Sequence, residues 1–191
     1  MPPARVLLWA ATCGALAVAL RAILGKPPPT MVAIALVVAY VALFMCGVLF
    51  LRLRMFVDAI VRGPKGARGV ALTFDDGPHP THTRKVLDAL DARKVKATFF
   101  LVAKKAEKHA DLAREIASRG HAIGLHSYEH ARLMSTWSAA RMRRDLDKGI
   151  VALEKLTGVR PTMYRPPIGH TNPSLARVVD ELDLTVVGWT V

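Results

Sequence analysis

Four short clusters in this chain carry side chains suited to hydrolytic chemistry. They are Asp75-Asp76-Gly77-Pro78, the pair His126 and His130 in His-Ser-Tyr-Glu-His, the run Arg165-Pro166-Pro167-Ile168-Gly169, and Trp189. Two imidazoles and one carboxylate make a three-ligand metal set that leaves positions for water and substrate. Asp76, His126 and His130 supply that set. A metal held there lowers the pKa of bound water and polarises a carbonyl. Asp75 is then free to act as general base. Arg165 can hold Asp75 ionised and oriented through paired hydrogen bonds. The oxyanion of an attacked amide can be met by the metal and a backbone N–H. Each cluster alone has a plainer reading. Asp-Gly-Pro is ordinary turn chemistry, the histidines can be surface residues, Arg165 can be solvated, and Pro-Pro can be a rigid connector. What favours the chemical reading is coincidence in space, and that depends on the elements carrying the clusters.

Those elements alternate. Val70–Phe74, Ala97–Val102, His121–Leu125, Thr162–Tyr164 and Leu184–Val191 read as strands. Thr83–Arg93, Ala106–Ser118, Ser138–Leu156 and a segment capped by Asn172 and Pro173 and ending near Leu182 read as helices. Alternation of this kind predicts a parallel sheet with βαβ crossovers. Such folds place sites at the C-terminal ends of strands. The acidic pair follows the first strand, the histidines the third and the arginine the fourth. Trp189 lies near the end of the fifth.

The first part of the chain is different in kind. Hydrophobic residues make up 52% of the whole, and they concentrate in two uncharged runs, Val6–Leu20 and Met31–Leu51. The second is long enough to cross a bilayer core of ~30 Å. The first can be the apolar region of a signal peptide, or can span as far as Leu24 if Arg21 reaches the interface. Pro27, Pro28 and Pro29 break any helix between them. The reading is a membrane anchor over 1–54 with spans at about 6–24 and 31–51, a basic linker over 55–68, and a catalytic domain over 69–191. Cys13 and Cys46 lie inside the runs, so no disulfide framework is indicated. The net charge is +12. Eight basic residues and one acid, Asp58, precede residue 69. An excess there reads membrane surface and topology. No basic stripe interleaved with aromatics points to nucleic acid. No oligomeric interface is marked.

The residues from about Arg68 to Val191 resemble the polysaccharide deacetylase family, also called the NodB-homology domain or carbohydrate esterase family 4. Thr73-Phe74-Asp75-Asp76-Gly77-Pro78 matches its first motif, His126–His130 its second and Arg165–Gly169 its third. The resemblance implies a distorted (β/α) barrel preceded here by a transmembrane hairpin. It implies a divalent metal, zinc foremost, with cobalt, nickel or manganese as alternatives. It also implies hydrolysis of N-acetyl or O-acetyl groups. Asp75 then resembles the base, Asp76, His126 and His130 the ligands, and Arg165 the residue positioning the base. Ile168 stands where the family often has an aromatic residue contributing its N–H to the oxyanion site, beside Pro166. The family's fourth motif runs past the tryptophan to an aspartate, and its fifth, Leu-x-His, supplies the general acid. Neither is found here, and His170 is the last histidine. The expectation is an incomplete barrel, a fragment of a longer enzyme.

The functional expectation is a membrane-bound hydrolase acting on an N-acetylated glycan. A variant acts on a lipid-linked sugar. An alternative from another class is an inactive, truncated domain that keeps metal and glycan binding. Arg52, Arg54, Arg62, Lys65 and Arg68 after the second run argue for a cytoplasmic flank, whereas family members usually act on envelope glycans outside.

Overall fold

The computed structural model describes residues 1–190. Helix α1 spans Pro3–Ile23 and α2 spans Thr30–Leu49. The three prolines turn the chain between them, as the fixed φ and missing N–H of proline require. The helices pack antiparallel, and Thr12 Oγ1 lies 3.0 Å from Tyr40 Oη. Both are long and apolar enough to cross a membrane. At 1.5 Å per residue α2 is about 30 Å long. Its side chains are largely exposed, and Gly47 is its one buried residue.

The remainder is an α/β unit. Its elements are β1 Ala59–Ile60, β2 Thr73–Gly77, α3 His82–Ala92, β3 Thr98–Leu101, α4 Ala103–Lys108, α5 Ala110–Ser118, β4 Ala122–Leu125, α6 Ala139–Thr157, β5 Met163–Tyr164, α7 Pro173–Glu181 and β6 Thr185–Val187. The six strands form one sheet in the order β1-β6-β5-β4-β3-β2. Every neighbouring pair is parallel. The expected parallel α/β fold is therefore present. Strands β1 and β2 are the edges of the sheet among the described residues.

Local chemistry explains the boundaries. Ser138 Oγ accepts from Arg141 N–H at the start of α6, and Gly158 at φ +72° closes it. Only a residue tolerant of the left-handed region suits that closing position. Asn172 Oδ1 accepts from Leu175 N–H at 2.7 Å, with Pro173 in the first turn of α7. Apolar faces of α3, α5, α6 and α7 bury Leu87, Ile116, Leu146, Ile150, Leu153 and Val178 against Leu101 and Leu125 of the sheet.

Four expectations shift. The segment read as a basic linker over 55–68 begins as part of the domain. Met55, Val57 and Ala59 are buried, and β1 pairs with β6. A two-residue strand next to basic residues leaves too short an apolar pattern to read. The first strand of the catalytic part runs over Thr73–Gly77, not Val70–Phe74, so it includes the acidic pair; Val70 is 87% exposed. The single helix expected over Ala106–Ser118 is two helices, α4 and α5, joined at His109. No glycine or proline marks that break. The first turn of α4 is instead tied down from outside, where Ala103 N–H donates to Ser127 C=O and Lys104 N–H to Tyr128 C=O. In the last expected strand, Thr185–Val187 is the observed β6 and Val191 lies outside the described residues.

Candidate active site

The acidic pair sits on a bulge. The β2–β3 register shifts between Phe74 and Gly77, and Asp76 has φ +64°. Adjacent strand residues normally face opposite sides. An extra residue in one strand re-aims its side chains. Here it allows Asp75 to reach Arg165 while Asp76 turns to the histidines. Lys105 Nζ of α4 donates to Asp76 C=O at 3.0 Å and fixes the bulge from above.

The histidines lie on the loop after β4. His126 Nδ1 is 2.6 Å from Arg165 C=O. A carbonyl only accepts, so Nδ1 carries the proton and Nε2 offers its lone pair. Burial pushes the His126 pKa down from its ordinary value, and a hydrogen bond to Arg165 C=O opposes the shift. The neutral imidazole is the form that binds metal. Asp76 Oδ1 lies 3.7 Å from His126 Nε2 and 3.0 Å from His130 Nε2. One ligand atom from each of the three residues lies within 4.8 Å of the other two. Zinc–ligand distances of about 2.0–2.1 Å place tetrahedral neighbours about 3.4 Å apart. The two Asp76–histidine separations bracket that spacing, so this donor set fits one divalent ion.

Arg165 is the centre of the second half. It is 2% exposed. Its Nη1 donates to Asp75 Oδ1 at 2.7 Å and to Thr73 Oγ1 at 2.9 Å. Its Nε donates to Val187 C=O and its Nη2 to Gly188 C=O. The guanidinium therefore links β2, β5 and the end of β6. Its Cζ lies 4.1 Å from the centre of the Phe100 ring and 5.6 Å from that of Trp189. A buried charge with this many acceptors is compensated; one without them would not be tolerated. Pro166 is buried beside it, while Ile168 is half exposed at φ +60°. A cleft of about 630 Å³ bounded by Thr73, Arg165, Gly188 and Trp189 opens between the edge strands.

All eight residues singled out in the sequence fall in this region, in two groups. Asp76, His126 and His130 form one. Asp75, Arg165 and Trp189 form the other, with Pro166 and Ile168 on the turn leaving Arg165. Asp76 on the bulge, His130 and Ile168, together with Ser127 between the histidines, have φ between +57° and +64°. Such conformations cost about 1–3 kcal/mol each and persist where surroundings over-determine them.

The surroundings are what sequence reasoning missed. Asp145 of α6 is buried, and its carboxylate accepts from Tyr128 N–H at 2.9 Å and Glu129 N–H at 3.3 Å. Ser127 Oγ accepts from His130 N–H at 2.8 Å. A signal for Asp145 existed. It falls at helical spacing on the apolar face of α6, between Met142 and Gly149, where a carboxylate needs a buried partner.

Comparison with known proteins agrees with this geometry. Residues 62–187 match the family model described as polysaccharide deacetylase. A peptidoglycan-N-acetylglucosamine deacetylase of Bacillus cereus is 39% identical over 129 residues, covering 68% of this chain and 46% of the relative. The crystal structure of the Bc1960 peptidoglycan N-acetylglucosamine deacetylase superposes with a TM-score of 0.67 at 36% identity, over 70% of this chain and 62% of that one. A family 4 acetyl xylan esterase from Clostridium thermocellum, solved with a cobalt ion, gives 0.57 at 38% identity, over 62% and 56%. The chain spans about half the length of the curated relative it matches.

Proposed function

The chain belongs to the polysaccharide deacetylase family, and from that premise we propose that it is a metal-dependent hydrolase removing N-acetyl groups from a glycan of the peptidoglycan type, anchored to a membrane by α1 and α2. One observation carries the reading. A complete ligand set, Asp76, His126 and His130, stands beside an aspartate, Asp75, that a buried arginine holds in place.

Asp76 Oδ1 and the Nε2 atoms of His126 and His130 are the ligands. Zinc, cobalt, nickel or manganese bound there supplies Lewis acidity and a water of lowered pKa. Asp75 is the general base. Arg165 occupies its Oδ1, and Oδ2 is left to take the proton. The arginine orients that carboxylate through a short, charge-assisted hydrogen bond. The Ile168 N–H donates to the developing oxyanion. Trp189 walls the cleft and Pro166, buried beside Arg165, sets the turn that presents Ile168.

A second reading, a domain that holds metal and glycan without turnover, rests on one feature. His170, the last histidine, borders Met134, Ser135 and Pro166 and does not join the ligand cluster. Acetate release from N-acetylglucosamine oligomers with added zinc or cobalt separates the two. The wild type releases acetate, and Asp75→Asn and His126→Ala do not. Equal background in all three supports the inactive reading.

A further inference from the structure

The end of α2 is built into the site. Thr171, two residues after the arginine turn, donates its N–H to Val48 C=O at 2.9 Å and its Oγ1 to Gly47 C=O at 3.1 Å. Arg52 donates to Thr190 C=O. Gly47 is closed over by Met55 and Phe56, so the helix end cannot swing away without breaking packing. Where α2 meets the arginine turn, a crevice of about 330 Å³ is lined by Leu49, Phe50, Leu51, Val61, Ile168 and Trp189. That volume lies within the ~300–1,000 Å³ of ligand sites.

We propose that this crevice holds the apolar anchor of a membrane-embedded, N-acetylated glycolipid, so that the substrate is a lipid-linked sugar presented from the bilayer. The inference rests on the deacetylase reading above and specifies its substrate class. Three features carry it. The lining is apolar, and it is continuous with the exposed apolar surface of α2, where Val38, Val41, Met45 and Leu49 face outward. The same Trp189 ring that closes the crevice stands over the Arg165 guanidinium that holds Asp75, so an apolar chain in the crevice leads its headgroup toward the acidic pair. Arg52 also lines the crevice, a cation suited to a phosphate joining lipid to sugar.

The test uses the full chain in nanodiscs with zinc, assayed on hexadecyl and methyl N-acetylglucosaminide. The hexadecyl glycoside is preferred in kcat/KM by roughly tenfold or more, the effect of burying two CH2 groups. The double variant Leu49→Asp/Phe50→Asp changes two side chains that are already substantially exposed, and it lowers that ratio. Val151→Asp on the outer face of α6 leaves the ratio as in the wild type. A second readout needs no turnover. In a Trp9→Phe/Trp137→Phe background, a hexadecyl glycoside brominated along its chain quenches Trp189, and the double variant abolishes the quenching. The same ratio in wild type and double variant overturns the proposal. No turnover of either glycoside overturns the deacetylase reading instead, and the quenching then decides the crevice alone.

Discussion

Asp75 and Asp76 are neighbours in the chain with different partners. The bulge in β2 divides them, one toward Arg165 and one toward His126 and His130. The candidate ligand set was legible because imidazoles four apart and an acidic pair are chemically conspicuous. The residues that hold these groups were not, because Thr73, Ser127 and Asp145 look ordinary until the donors they accept from are seen. Arg165 shows how much rests on one side chain. Replacing it with methionine strips hydrogen bonds from Asp75, Thr73 and the carbonyls of Val187 and Gly188. Arg165→Met is therefore expected to lose about 1–3 kcal/mol of stability, the cost of leaving these acceptors unpaired, since Asp75 itself is exposed and stays hydrated. Urea unfolding measures it, and a loss below about 1 kcal/mol would mean that the pairing is weak.

At the scale of elements, the histidine loop is held from two sides. The first turn of α4 donates to it, and Asp145 of α6 accepts from it. Burial raises the Asp145 pKa above its ordinary 3.8, while the N–H groups of Tyr128 and Glu129 oppose the rise. A carboxyl whose pKa is higher folded than unfolded favours folding most when both states are protonated. That contribution is lost as pH rises from the unfolded value through the folded one. The stability of wild type minus that of Asp145→Asn should therefore fall with rising pH, from about 3.8 upward. A flat or rising difference in denaturant titrations would contradict the burial account. The start of α7 at Asn172 was legible from capping chemistry alone. The α4–α5 break and β1 were not, because both depend on partners distant in the chain rather than on local propensity.

Across the whole molecule, the apolar hairpin and the α/β domain meet at the site. Arg5 at the start of α1 donates to Asp58 and to the carbonyls of Arg54 and Met55. Thr171 and Arg52 secure the other side. The two apolar helices were plain in the sequence from length and composition, whereas the docking of α2 on the arginine turn was invisible, since it runs through backbone carbonyls. If α1 and α2 cross a bilayer, the chain stays with membranes through alkaline carbonate washing and is released only by detergent. Release by carbonate would make the hairpin peripheral. The two adjacent aspartates divide the labour between proton and metal, and zinc content and acetate release measured on the same samples read that division. Asp75→Asn should bind one zinc per chain, like the wild type, yet lose about 10²–10⁴ of the acetate-release rate, while Asp76→Ala loses both zinc and activity. Zinc binding retained in Asp76→Ala, or acetate release undiminished in Asp75→Asn, would contradict it.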